Sequence, residues 1–157
     1  MIKSGELIQP LINLLEDRLL SYPVMHCDET SVQVLKEPGK EATSKSYMWV
    51  RVGGPPTLHF RLFHYAASRS SQFACDLMAG YQGYLQTDDY ADYNSVAAES
   101  GITQLGCWAH ARRKFIEAQK SGSKNKKVGK ADMAISFIRK LYAIEKHLAG
   151  QPPEEKC

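Results

Sequence analysis

The run Pro23 to Leu35, PVMHCDETSVQVL, places two acids inside a strand-forming stretch. Val24, Met25, Val32, Val34 and Leu35 give it strand character, so Asp28 and Glu29 stand out against their neighbours. A carboxylate in a buried strand loses its hydration and needs something in return. An isolated Asp in such a run reads as an edge-strand or turn residue. A second acid of the same kind downstream changes that reading to a metal-binding carboxylate at the centre of a sheet, and Asp88 supplies one 60 residues further on.

The rest of the chain shows how two such distant acids could meet. Ile8, Leu11, Ile12, Leu15 and Leu19 recur at helical spacing, with Ser4 as cap and Pro10 in the first turn, and the helix is expected to end before Tyr22-Pro23. After the strand carrying Asp28, the charged segment Lys36 to Ser46 reads as a hairpin loop. Ser46 to Val52 is a second strand. Thr57 to Tyr65 is a third, with Leu58, Phe60 and Leu62 on one face and His59, Arg61 and Phe63 on the other. The period then changes: Ser68 to Ala79 is helical, capped by Ser70 or Ser71 and stopped by Gly80.

Gly83 to Thr87 reads as a short strand leading into Asp88, Asn94 to Ser100 as a helix and Ile102 to Trp108 as a fifth strand. Helices over Ala109 to Gln119 and Ala131 to Leu148 follow, separated by the loop SGSKNKKVGK and ended by a frayed tail. Trp49 and Trp108 are expected in the core. Three meander strands followed by alternating helix and strand predict an α/β fold of the RNase H-like type. Its mixed sheet of five strands has flanking helices, and the fourth strand pairs with the first in parallel. That pairing would bring Asp28 and Asp88 together, where they would repel unless a cation lay between them. Oxygen-only ligands suit Mg²⁺ or Mn²⁺.

Charge narrows the partner. The net charge of +3 is mild, but Arg112 to Lys130 holds eight Lys or Arg against one acid, Glu117, which points to a polyanion. The four cysteines, Cys27, Cys75, Cys107 and Cys157, have no CxxC spacing, so neither a zinc knuckle nor a disulfide framework is suggested and a reducing cytoplasm is expected. No apolar run approaches the roughly 18 to 20 residues that span a bilayer. At 157 residues with 43% hydrophobic content the chain is long enough for one domain-sized core.

The segments HCDETSVQVL, GYLQTDDYADYN and CWAHARRKF resemble those of transposases of the insertion-sequence-66 group, whose catalytic core is an RNase H-like domain of the Asp-Asp-Glu type. The likeness covers roughly Ser21 to Lys120, and the motif from Cys107 to Phe115 is its most specific part. It implies that Asp28 and Asp88 are the first two catalytic acids and metal ligands. It implies a transposase that cleaves and joins DNA by metal-dependent phosphodiester chemistry. Asp89 and Asp92 depart from the pattern, standing where glycines are common in the group, and Asp89 reads as a solvated turn residue.

The third acid of the group comes after a helical insertion, so the chain is expected to be a fragment, incomplete at its C-terminus, without that acid. Glu117, 29 residues past Asp88, reads as a solvated helix residue beside Lys114 and Lys120 rather than its substitute. The expected organisation is an N-terminal amphipathic helix over 1–21, a partial core over 22–120, and a basic loop, helix and tail over 121–157.

Two metal ions about 3.5 to 4 Å apart stabilise the entering and leaving oxygens in such chemistry. His110, Arg112 and Arg113 are then candidates for contact with the scissile phosphate or flanking strand. Lys124, Lys126 and Lys127, with Lys120 and Lys130, are candidates for salt-sensitive contact with the backbone of double-stranded DNA. The alternative is a catalytically inactive DNA-binding remnant of such a transposase. An inert structural remnant is a third class, and self-association through uncovered apolar surface is expected in either case.

Overall fold

A computed structural model of the chain describes residues 2–55, 57–88, 93–98, 101–121, 128–149 and 151. They fall in two units, Met1–Gly106 and Cys107–Cys157. The first unit runs α1 (Ile2–Leu20), β1 (Val24–Gln33), β2 (Lys45–Gly53), β3 (Phe60–Ala66), α2 (Ser71–Leu77), β4 (Gly83–Thr87), α3 (Tyr93–Ala97) and β5 (Ile102–Gly106). The second holds α4 (Trp108–Ser121) and α5 (Lys130–His147).

The fold is α/β, with one five-stranded mixed sheet in the order β3-β2-β1-β4-β5. Short connections make β1, β2 and β3 antiparallel neighbours. Parallel pairs need a crossover, and α2 and α3 lie in the two connections that produce the β1–β4 and β4–β5 pairs. Alternation decides the faces. Met25 and Cys27 of β1, Trp49 and Arg51 of β2, Leu62 of β3 and Leu85 and Thr87 of β4 are buried, while the residues between them are more exposed.

The buried face packs against all three helices of this unit. Trp49 meets Phe73 of α2 at 5.5 Å between ring centroids and the edge of Tyr93 of α3 at 5.9 Å. Leu19 of α1 and Val96 of α3 join the same core. Gly53 makes the approach of α1 possible, since an added Cβ would lie 2.5 Å from Leu19 Cδ1. Gly83, at φ +145, lets β4 start against the carbonyl of Pro23, which accepts the N–H of Tyr84 at 2.8 Å. Arg51 is buried and ties three elements to β2: it donates to the Leu77 carbonyl at 2.8 Å, pairs with Glu16 of α1 and lies 2.9 Å from His64 Nε2 of β3.

Several expectations shift. The first helix starts before Ser4, so Ser4 is not its cap, and Pro10 lies well inside it. Only its C-terminal end packs: Leu7, Ile8, Leu11 and Leu14 are exposed. Leu58 does not belong to the third strand. Its N–H closes a turn onto the Pro55 carbonyl at 2.9 Å and its side chain is exposed. Ser70 is the cap of α2, accepting the Phe73 N–H at 3.2 Å.

The fifth strand stops at Gly106, so Trp108 opens α4 and stands 54% exposed, outside any core. In α5 Ile135 and Ile138 are buried as expected, but Leu141 and Tyr142 are exposed. Within the second unit Gln119 of α4 donates to Asp132 of α5 at 2.6 Å, and Asp132 accepts the Gly129 N–H at 2.8 Å, satisfying the start of α5. Among the described residues no helix is long and apolar enough to cross a membrane.

Candidate active site

Asp28 and Glu29 are consecutive residues of β1, so the pleat sends their side chains to opposite faces. Asp28 follows the pattern of exposed His26 and sits opposite Val50 of β2. On its other side, β1 runs parallel to β4 with His26 in register with Gln86. Two residues further along each strand come Asp28 and Asp88, the latter one residue past the end of β4. Both acids are half-buried, and the Asp28 carboxylate accepts the backbone N–H of Glu29 at 2.9 Å. The sequence separation of 60 positions is spanned by a connection that includes α2.

Glu29 takes the inward direction, and its side chain is only 1% exposed. A carboxylate so desolvated requires charge and hydrogen bonds, and both are present. Arg69 forms an ion pair with its Oε1, and the Tyr93 hydroxyl donates to its Oε2 at 2.6 Å. The same terminal nitrogen of Arg69 stands 3.9 Å from Asp88 Oδ2. Arg69 thus connects the buried acid of β1 to the acid that follows β4. Burial pushes the Cys27 thiol up to about 12, with the Glu29 charge adding to the effect and the Tyr93 hydrogen bond opposing it, so this cysteine is an inert core residue. Burial, with Cys27 and Glu29 beside it, also raises Tyr93 and keeps its proton on as a donor to Glu29.

The sequence reading did not single out Arg69 and Tyr93. A signal for Arg69 was present: a cation directly before a helix N-terminus opposes the helix dipole, so it needs an acidic partner. Tyr93 carried no such signal, because its partner lies 64 residues away.

His110, Arg112 and Arg113 lie in the first turns of α4, in the second unit. His110 and Arg112 are half-buried and Arg113 is exposed. Glu117 is exposed on the same helix. Lys124, Lys126, Lys127, Asp89 and Asp92 lie outside the described residues. Among the described residues no group of three or more His, Cys, Asp or Glu side chains is arranged to enclose a metal ion. Asp28 and Asp88 are two hard oxygen donors of the kind Mg²⁺ and Mn²⁺ take, which fits part of such a site.

A family profile described as Transposase IS66 family matches residues 1–157. The chain belongs to the IS66 transposase family. Among curated relatives, uncharacterized protein y4jD of Sinorhizobium fredii is 29% identical over 164 residues, covering 95% of this chain and 30% of that protein. Uncharacterized protein y4qI of the same organism is 29% identical over 159 residues, covering 92% of this chain and 28% of that protein. The IS66-family chain therefore spans somewhat under a third of the length of these relatives. A solved structure, the simian T-cell lymphotropic virus intasome in complex with PP2A regulatory subunit B56 gamma, overlaps 78% of this chain and 49% of its own at 11% identity. Its TM-score is 0.38, too loose a likeness to bear on the fold.

Proposed function

We propose that the first unit of this IS66-family chain is an RNase H-like core in which Asp28 and Asp88 are the first two acids of a metal-dependent DNA-cleaving and strand-joining site. The observation that carries the reading is the parallel β1–β4 register, whose last pair, His26 and Gln86, stands two residues before each acid. Sheet order β3-β2-β1-β4-β5, with the antiparallel strands on one side and the parallel ones on the other, supports the fold assignment.

Each acid has its own task. Asp28, on the central strand, accepts the Glu29 N–H on one oxygen. Asp88, just past the end of β4, would supply the second carboxylate. Bound Mg²⁺ or Mn²⁺ would activate the attacking oxygen and stabilise the leaving one in an in-line phosphodiester displacement. The partner is double-stranded DNA, held through phosphates by basic residues of the second unit, His110, Arg112 and Arg113 among them.

Calorimetry with Mn²⁺ on the full chain tests this. Binding is expected to be weak in the wild type, and to be lost in Asp28→Asn and in Asp88→Asn. Equal binding in wild type and one variant would remove that acid from the metal site, and equal binding in all three would leave a DNA-binding chain without this chemistry.

A further inference from the structure

Trp108 opens α4 and stands 54% exposed, whereas the other tryptophan of the chain, Trp49, is fully buried. One exposed ring by itself needs no explanation. Trp108 has company of a particular kind. Arg112 and Phe115 follow it at four and seven residues, so the three side chains lie along one side of the helix, within about 10 Å of its axis. Phe115 is also exposed and Arg112 is half-buried. A cation is therefore interleaved between two aromatic rings. The first turn of α4 holds no acid, and Arg112, Arg113 and Lys114 come as three consecutive cations before Glu117, the one acid of this helix.

Rings and charges together select the ligand. An apolar protein surface would satisfy the rings but would bury cations beside them, which is costly without paired charge. A nucleic-acid strand brings phosphates for the cations and flat bases for the rings. Base pairing hides the second of these: in a duplex the bases stack on one another and offer their edges in the grooves, not their faces. Resting on the DNA-binding reading above, we infer that Trp108 is a stacking platform for an unpaired nucleobase, with Arg112 and Arg113 holding the phosphates that flank it. Strand cleavage leaves an end whose last bases can fray, and the ring would hold such a base out of the duplex.

Tryptophan fluorescence reads this site directly, because Trp49 is 0% exposed and beyond the reach of a ligand. Titration of the full chain with a short oligothymidylate should quench the emission of Trp108, and the quenching should vanish in Trp108→Ala, where Trp49 alone emits. Affinity of Trp108→Ala for the oligothymidylate should fall about 10-fold, the order of one lost base stack, and Trp108→Phe should recover part of it. Affinity for a blunt duplex rests on phosphates and should change by less than about 2-fold in either variant. A single-stranded tail on that duplex should tighten binding more in the wild type than in Trp108→Ala.

Equal losses on single strand and blunt duplex overturn the inference, as does oligothymidylate binding that leaves the Trp108 emission unchanged. Emission that shifts to the red on dilution without DNA would place a second copy of the chain over the ring, and also overturns it. If the chain binds neither duplex nor single strand, it is the DNA-binding reading that fails, and the inference with it.

Discussion

His64 sits between two opposite charges in a partly buried position, and its protonation state follows from which influence prevails. Burial, then the Arg51 guanidinium, hold its pKa below the ordinary histidine value, and the attraction of Glu16 at 3.1 Å opposes them without winning. The folded chain therefore keeps His64 neutral at a pH where the unfolded chain has begun to take up the proton. Its contribution is fully present above about pH 6.5 and is lost as the pH falls through the lower folded value. Stability is expected to decline on acidification through that window. His64→Gln should flatten the decline, as read from urea midpoints by circular dichroism between about pH 5 and about pH 7. A variant with the wild-type slope would place the acid sensitivity elsewhere.

At the level of elements, α2 and α1 are each held by one small residue. The Ser70 hydroxyl accepts the Phe73 N–H at the start of a helix of only seven residues, and Phe73 packs on Trp49. Ser70→Ala should cost about 1 kcal/mol in chemical denaturation, the usual cost of a lost side-chain cap. Gly53 matters because α1 comes down on it. Gly53→Ala would drive a methyl into Leu19, a residue already 0% exposed, and should cost about 1 to 3 kcal/mol by overpacking. The same denaturation series checks it, with a change below that of Ser70→Ala showing that Leu19 yields without loss.

For the molecule as a whole, the uneven charge governs the encounter with a partner. The basic run Arg112 to Lys130 predicts binding to duplex DNA with little sequence preference. Affinity should fall steeply between about 50 and 200 mM salt, and replacing Lys124, Lys126 and Lys127 with Gln should lower the salt slope by about 3, near one unit for each phosphate no longer neutralised. Gel shifts across a salt series provide the measurement. A triple variant with an unchanged slope would assign the phosphates to other basic residues.

Local rules accounted for what is local. Periodicity alone was enough to expect five strands, the change of period after β3, and Ser70 or Ser71 as a cap, because each depends on residues within one or two turns of chain. The expectation that β1 and β4 pair in parallel needed only the order of elements and the limits on crossover connections. Other features depended on partners distant in sequence. Trp108 is as apolar as Trp49, yet one is exposed and the other is the centre of the core, since only packing decides which face a helix or strand presents.

The division between Asp28 and Glu29 is of the same kind. Two neighbouring acids looked equally out of place in PVMHCDETSVQVL, and strand alternation says only that they part. Tertiary contacts determined which went where. Arg69, 40 residues on, and Tyr93, 64 residues on, supply the charge and the hydrogen bond without which a buried Glu29 could not be tolerated, while the pleat turns Asp28 to the other face of β1.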